Sequence, residues 1–116
     1  MSSISDKYCI VGVGETEYKR GAGMSTRQMA AIAVTRALAD AGLTAADVDG
    51  MMSYSFGDNA VNSQAVSHDL GIRLNFFMDV QGGGSSSEAI VGLAMGAIEV
   101  GMCKTVVLYR SMNGFS

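Results

Sequence analysis

The sequence predicts an α/β fold, in which layers of helix cover a mostly parallel sheet and the elements follow the order βαβαβαβ. Short runs rich in β-branched and aromatic residues alternate with stretches whose apolar residues recur every three or four positions. Glycine, with 15 residues, supplies the breaks between them, and proline is absent. Strands that alternate with helices form parallel units joined by right-handed crossovers, which is the basis of the predicted class.

Four strands are expected from the short β-rich runs. The first, residues 8–13 (YCIVGV), is a continuous apolar run typical of a strand covered on both faces. The third is rich in aromatic residues, which favour strands. The three later strands are predicted at residues 51–56, 74–80 and 105–109.

Three helices are expected from apolar periodicity and from end signals. A serine with Gln or Glu three residues later forms a capping box, and a glycine after the last apolar position ends a helix. Both signals frame the first and third helices, and a glycine closes the second. The predicted helices, with their capping residues, occupy residues 25–42, 62–71 and 85–101.

Composition argues against several kinds of partner. The 116 residues carry a formal net charge of −3, and their eight Lys and Arg residues are scattered along the chain without a basic cluster, so nucleic acid is not an expected partner. No apolar run approaches the ~18 residues that a membrane-spanning helix needs. Since no export leader is evident either, we expect a cytoplasmic protein without membrane contact.

The two cysteines, Cys9 and Cys103, lack the paired spacing of a metal site or a disulfide framework. Free cysteine is among the most frequently buried residue types. We therefore expect two buried free thiols and no metal ion.

The Gly12-Val13-Gly14 sequence after the first predicted strand invites comparison with a dinucleotide-binding motif. The third glycine of that motif would fall at position 17, where this chain has Glu17. A carboxylate there would repel a pyrophosphate, and the next helix begins only near Ser25. The glycines are better interpreted as a tight turn after a strand.

The most informative stretch is the glycine run, residues 82–84, which lies between a predicted strand and a predicted helix. Unpaired amides of Ser85 and Ser86 and the positive end of the helix dipole could bind an oxyanion or a thioester carbonyl there. A flexible turn with an ordinary helix cap would have the same composition. A serine nucleophile is not supported, because Gly-x-Ser-x-Gly is absent and the single histidine, His68, is expected on a helix surface.

Several segments together resemble the start of thiolase-fold enzymes. The more specific combination is the glycine run followed by a helix, an apolar strand and residues 109–113 (YRSMN), which is similar to the sterol-carrier-protein-2 thiolase and lipid-transfer-protein aldolase branch. The more widespread segments are residues 10–14 (IVGVG) with Thr16, residues 37–43 (ALADAGL) and residues 47–50 (DVDG). The resemblance implies a layered thiolase-like fold, of which this chain would be the N-terminal portion of a protein of about 400 residues.

The resemblance places Gly84, or Gly83 if the alignment slips by one, where thiolases carry their nucleophilic cysteine. Neither glycine can be acylated, which fits the aldolases of steroid side-chain degradation. These enzymes cleave a β-hydroxyacyl-CoA and need a base and an oxyanion site, but no covalent acyl-enzyme. The implied substrate-binding residues are Gly83, Gly84, Ser85 and Ser86, and the implied cofactor is none beyond the coenzyme A of the substrate.

Two other functions remain open at this stage. One is an acetyl-CoA acyltransferase, which requires a cysteine at position 83 or 84 in the natural gene, so that the glycine would be an engineered change. The other is a catalytically silent subunit that binds an acyl group or lipid. In an active enzyme of this family the catalytic base would lie after Ser116, whereas a silent subunit would lack it.

The resemblance also implies a homodimer joined through the third predicted strand, residues 74–80. Phe76, Phe77 and Met78 are consecutive, so alternation along the strand places large apolar groups on both faces. An edge strand with so little charge is poorly protected against pairing with a second copy. The alternative is a strand enclosed within one subunit. A small accessory subunit with an OB-fold and a zinc ribbon is a further expected partner, as in related aldolases.

Overall fold

The computed structural model describes residues 8–16, 25–55, 62–81 and 86–110. Within these ranges the chain alternates between helix and strand, as expected for the α/β class. The calls that fall on residues 56, 82–85 and 111–113 lie outside the described residues. The elements are α1 (Thr26–Ala41), a 3₁₀ turn (Ala45–Asp47), β1 (Gly50–Ser55), α2 (Ser63–Leu70), β2 (Phe76–Gln81), α3 (Ser86–Glu99) and β3 (Val106–Tyr109).

The three described strands form one parallel sheet in the order β2-β1-β3. In the register of this sheet, Met51 of β1 lies between Phe77 and Val107 of its two neighbours. The chain passes from β1 through α2 to β2, and then through α3 to β3 on the far side of β1. The predicted α/β class with a mostly parallel sheet is confirmed.

The ends of α1 follow directly from the local sequence. Ser25 Oγ accepts the Gln28 amide at 3.1 Å, and Gln28 Oε1 accepts the Ser25 amide at 3.0 Å, which completes the predicted capping box. Gly42 ends the helix with φ of 72°, a left-handed conformation that glycine adopts without a steric penalty.

Two apolar clusters pack on opposite faces of the sheet because successive side chains of β1 alternate in direction. Met51 lies on the face covered by α1 and α2, together with Val34 and Val66. Met52 lies on the opposite face, together with Ile90 of α3. Met51 and Met52 are both fully buried, and each such side chain contributes about 1.5–3 kcal/mol relative to exposure.

Asp49 ties together the beginnings of all three strands, partly through its carboxylate and partly through its backbone. Its carboxylate accepts hydrogen bonds from the backbone amides of Lys104 and Thr105, each at 2.9 Å, just before β3. The backbone carbonyl oxygen of Asp49 accepts a hydrogen bond from the amide of Asn75 at 2.8 Å, just before β2. The aspartate therefore fixes the amino edge of the sheet, and β2 begins at Phe76 rather than at the predicted residue 74.

The predicted first strand, residues 8–13, is wrong. These residues form no strand, and Ile10 and Val13 are 80% and 71% exposed. A strand needs a neighbour for its backbone groups, and none of the described strands pairs with this segment. Its backbone bonds instead to side chains of α1, where Val13 donates its amide to Asp40 at 2.9 Å and Glu15 accepts from Arg36 at 2.7 Å.

Gly12 and Gly14 explain how this segment approaches α1 so closely. A Cβ atom at Gly12 would lie 2.4 Å from the Ala37 carbonyl oxygen, and one at Gly14 would lie 2.4 Å from the Ala33 carbonyl oxygen. Only a residue without a side chain fits at this distance. The glycines serve contact with the helix, which replaces the tight-turn interpretation, and they form no cradle for a nucleotide.

The expectation of two buried thiols is wrong for one of them. Cys9 is exposed because its segment is not enclosed in a sheet, whereas Cys103 is buried beside the beginning of β3. Burial, and next the nearby charge of Asp49, raise the pKa of the Cys103 thiol. Cys103 is therefore a packing residue with little thiolate at neutral pH.

Candidate active site

The carboxyl ends of the three parallel strands meet at one edge of the sheet, which is where ligands bind in open α/β folds. Three polar side chains form a row there. Ser53 of β1 is the register partner of Asp79 in β2 and of Tyr109 in β3. All three share the face of the sheet that α1 and α2 cover, since they alternate with residues on the α3 face. We call Ser53, Asp79 and Tyr109, together with Ser63 of α2, the polar row.

Asp79 is the centre of the polar row. Ser53 donates its hydroxyl to Asp79 Oδ1 at 2.5 Å. Ser63, the first residue of α2, donates its amide to Oδ1 at 2.9 Å and its hydroxyl to Oδ2 at 3.0 Å. A carboxylate that accepts an amide at a helix beginning is also favoured by the helix dipole. One side chain thus joins two strands and a helix.

Tyr109 extends the polar row to β3. Its ring is 7% exposed, and its hydroxyl forms a side-chain hydrogen bond with Ser53. Burial first, with the charge of Asp79 adding to it, raises the pKa of Tyr109 far above the usual range, although the Ser53 bond acts in the opposite direction. The phenol therefore stays neutral at any physiological pH.

The predicted substrate-binding residues are only partly described. Gly83, Gly84 and Ser85 lie outside the described residues, and Ser86 is the first residue of α3. The elements on either side are as expected, because β2 ends at Gln81 and α3 begins five residues later. The assignment of the glycine run to an oxyanion or thioester site stays a prediction.

The predicted dimer residues lie on β2, which is an edge strand of the described sheet. Phe76 packs against the cluster under α3, whereas Phe77 and Met78 are 46% and 38% exposed. The expected pattern of large apolar groups on both faces is present. Whether a second copy covers them stays a prediction.

Arg27, His68 and Asp69 are titratable side chains of α1 and α2 that lie outside the polar row. His68 is exposed on α2, as expected for a surface histidine. Its neighbour Asp69 accepts two hydrogen bonds from Arg27 of α1, at 2.5 and 2.7 Å, and the pKa of that carboxyl is lowered mainly by these bonds. Within the described ranges no cluster of His, Cys, Asp and Glu could hold a metal ion.

An open groove of about 690 Å³ lies away from the polar row. It runs between the segment that precedes α1 and the last turns of that helix, which lead into the amino edge of the sheet. Arg36 and Asp40 both line it, but each already bonds to the backbone of the adjoining segment. The groove residues are Val13, Gly14, Glu15, Arg36, Ala39 and Asp40.

Sequence reasoning missed the polar row. Its members lie in four separate segments and form no recognisable sequence motif. They are Ser53, Ser63, Asp79 and Tyr109. A signal did exist in Ser53, since a polar residue inside a buried strand requires a bonded partner. The strand register that pairs them could not be derived from the sequence.

No family model matches the chain. The fold nevertheless defines its class, which is the thiolase-type α/β fold. A 3-oxoacyl-(acyl-carrier-protein) synthase III from Aquifex aeolicus superimposes with a TM-score of 0.68 over 94% of this chain and 36% of that one. Its sequence identity is 19%, so this likeness concerns the fold alone.

Two solved structures have higher sequence identity to this chain. An Ltp2-ChsH2(DUF35) aldolase has a TM-score of 0.85 at 38% identity, over 92% of this chain and 28% of that one. A monomeric SCP2-thiolase-like protein from Mycobacterium smegmatis has a TM-score of 0.73 at 25% identity, over 90% and 23%. These structures confirm the resemblance to the N-terminal part of the sterol-carrier-protein-2 thiolase and lipid-transfer-protein aldolase branch.

Two curated proteins agree with this branch. The chain is 37% identical over 110 residues to a 17-hydroxy-3-oxo-4-pregnene-20-carboxyl-CoA lyase of Mycobacterium tuberculosis. It is 35% identical over 113 residues to a steroid side-chain-cleaving aldolase of Thermomonospora curvata. The matches cover 95% and 97% of this chain but only 28% and 29% of those proteins.

No helix in the described ranges has the length and apolar character to cross a membrane.

Proposed function

We propose that the intact protein carrying this segment is a thiolase-fold lyase that cleaves a carbon–carbon bond of a β-hydroxyacyl-CoA by a retro-aldol reaction. The observation that supports this most is the glycine at position 84, or 83, where the resemblance places the thiolase nucleophile. An enzyme without that thiol cannot form the acyl-enzyme of thiolysis. The names of the two curated relatives, a lyase and an aldolase, point in the same direction.

The proposed reaction needs a base, an oxyanion site and a group that protonates the enolate. A base removes the proton of the β-hydroxyl, the oxygen forms a carbonyl, and the bond between the α and β carbons breaks. The electron pair moves to the α carbon and is delocalised onto the thioester oxygen as an enolate, which is then protonated. In this scheme the amides of Ser85 and Ser86, at the beginning of α3, donate to that oxygen.

The proposed substrate is the CoA thioester of a steroid or other lipid side chain. The support is the printed name of the Mycobacterium tuberculosis lyase, which specifies a steroid carboxyl-CoA. No cofactor is needed for this reaction, since the proton transfers and the enolate require only acid–base groups and an oxyanion site.

Two partners are proposed. The first is a second copy of the protein, paired through β2, and the exposed Phe77 and Met78 on this edge strand support that arrangement. The second is a small accessory subunit with an OB-fold and a zinc ribbon. Its support is the description of the similar aldolase structure, which pairs Ltp2 with ChsH2(DUF35).

The proposal is tested with iodoacetamide and with mass spectrometry of the intact protein. Alkylation of the exposed Cys9 should leave turnover unchanged, because no thiol of this segment takes part in the reaction. Incubation with acetyl-CoA should leave residues 74–110 without a covalent acyl adduct. An acyl adduct on these residues would move the protein to the acyltransferases.

A variant at Gly84 tests the site itself. Gly84→Val should abolish cleavage of a β-hydroxyacyl-CoA while the circular dichroism spectrum stays that of the parent protein, because a branched side chain would fill the space that the thioester occupies. Full activity in this variant would contradict the assignment of the glycine run to substrate binding.

A further inference from the structure

The polar row is unusual because it occupies a sheet face that is otherwise apolar. Ser63 is fully buried, and Ser53 and Tyr109 are 4% and 7% exposed, whereas Asp79 is exposed on the edge strand. Burial of polar groups costs free energy unless they are hydrogen-bonded. The bonds of the polar row meet this cost, and no buried side-chain polar atom in the described part of the chain lacks a partner.

Ser53 bonds to both of its neighbours in the polar row. Ser53 has one hydroxyl proton, and it is donated to Asp79 Oδ1. Ser53 is also the register partner of Tyr109, and the hydroxyls of these two side chains form a hydrogen bond. Ser53 thus links Tyr109 to Asp79, and the negative charge of the carboxylate strengthens the hydrogen bond that Ser53 donates to it.

The polar row connects strands that do not bond to each other through their backbones. β2 and β3 are not neighbours, since β1 lies between them. Asp79 on β2 is nevertheless connected to Tyr109 on β3 through Ser53, and to the beginning of α2 through both donors of Ser63. These links are directional, whereas apolar packing at the same positions would allow small shifts.

We propose that Asp79 is a positioning residue, whose two oxygens hold the carboxyl ends of β1, β2 and β3 and the beginning of α2 as one rigid unit. The catalytic part of this proposal rests on the proposed function, since it assumes that this edge of the sheet carries the substrate. Both oxygens of Asp79 already accept hydrogen bonds from Ser53 and Ser63, so its proposed role is to act through the backbone that these bonds fix.

The test compares two buried serines of α2 in the intact protein. Ser63→Ala removes the hydroxyl bond to Asp79, whereas Ser67→Ala removes a hydroxyl that bonds only to Gln64 of the same helix. Both changes delete a single buried oxygen, so their direct effects on folding should be similar. Asp79→Asn is a third variant, which keeps the shape of the side chain but loses the charge and one acceptor.

Ser63→Ala and Asp79→Asn should lower kcat by about tenfold per folded molecule and leave KM within about twofold, because a misplaced site loses rate more than binding. They should also speed amide hydrogen exchange in residues 106–110, in and just after β3, because the polar row is the hydrogen-bonded link between α2 and this strand, beside the apolar cluster that both share. Ser67→Ala should leave kcat and this exchange rate unchanged.

Equal losses of kcat in Ser63→Ala and Ser67→Ala, or unchanged exchange at residues 106–110 in Ser63→Ala, would overturn the positioning role. If the parent protein cleaves no β-hydroxyacyl-CoA, the proposed function fails. The exchange comparison then decides by itself whether Asp79 couples α2 to β3.

Discussion

Asp49 and Thr105 bond to each other in both directions. The Asp49 carboxylate accepts the Thr105 amide at 2.9 Å, and the Asp49 amide donates to the Thr105 carbonyl at 3.2 Å. This reciprocal pair sits where β1 and β3 begin, 56 residues apart in the chain. It explains how a distant segment enters the sheet in a single register.

Replacing this carboxylate should therefore destabilise the sheet. We expect Asp49→Ala to lower the free energy of unfolding by about 2 kcal/mol, because charged hydrogen bonds to two backbone amides are lost. Chemical denaturation of the intact protein measures the change. The matched control is Asp47→Ala, whose carboxylate bonds locally to Thr44 and which should cost about 1 kcal/mol or less. Equal effects of the two changes would contradict the long-range role of Asp49.

The close approach of residues 8–16 to α1 leads to a second prediction, which concerns stability. Gly12→Ala should destabilise the protein by about 1–3 kcal/mol, since its Cβ would meet a helix carbonyl at 2.4 Å. Gly92→Ala on α3 is the control, because a Cβ there meets nothing within 4 Å and alanine favours a helix. Denaturation midpoints that shift equally for the two variants would show that the contact with α1 is not formed.

The Arg27–Asp69 pair predicts a specific dependence on pH. Since Arg27 lowers the pKa of Asp69, the pair stabilises the folded state above the ordinary value of 3.8 and loses that contribution as the pH falls through the lower folded value. Arg27→Gln should raise the pKa of Asp69 toward 3.8, as measured by NMR titration. The stability difference between parent and variant should be present near neutral pH and vanish in strong acid. A difference that grows in acid would contradict the pairing.

The exposed apolar groups of β2 predict an assembly. Sedimentation of the intact protein should show a dimer, and Phe77→Lys should convert it to a monomer, because a charge would be placed at the edge where the copies meet. Val100→Lys is the control, since Val100 is 69% exposed beyond the end of α3 and should leave the dimer intact. A stable monomer for the parent protein would contradict the pairing through β2.

The elements that could be predicted are those whose signals are local. Ser25, Gln28 and Gly42 lie within or beside α1, so its bounds follow from the sequence alone. The strand predicted at residues 8–13 failed because a strand also requires a neighbour, and apolar character does not supply one. The partnership of Ser53 with Asp79 depends on register between segments 26 residues apart, which no local pattern records.

The most direct test of the account follows both halves of the substrate by mass spectrometry. The intact protein is incubated with a β-hydroxyacyl-CoA and, separately, with the matching β-ketoacyl-CoA and free CoA. The account predicts that each molecule of the hydroxy substrate gives one carbonyl compound and one shortened acyl-CoA, with free CoA unchanged and the keto substrate intact. Consumption of free CoA with the keto substrate, giving two acyl-CoA products, would contradict it.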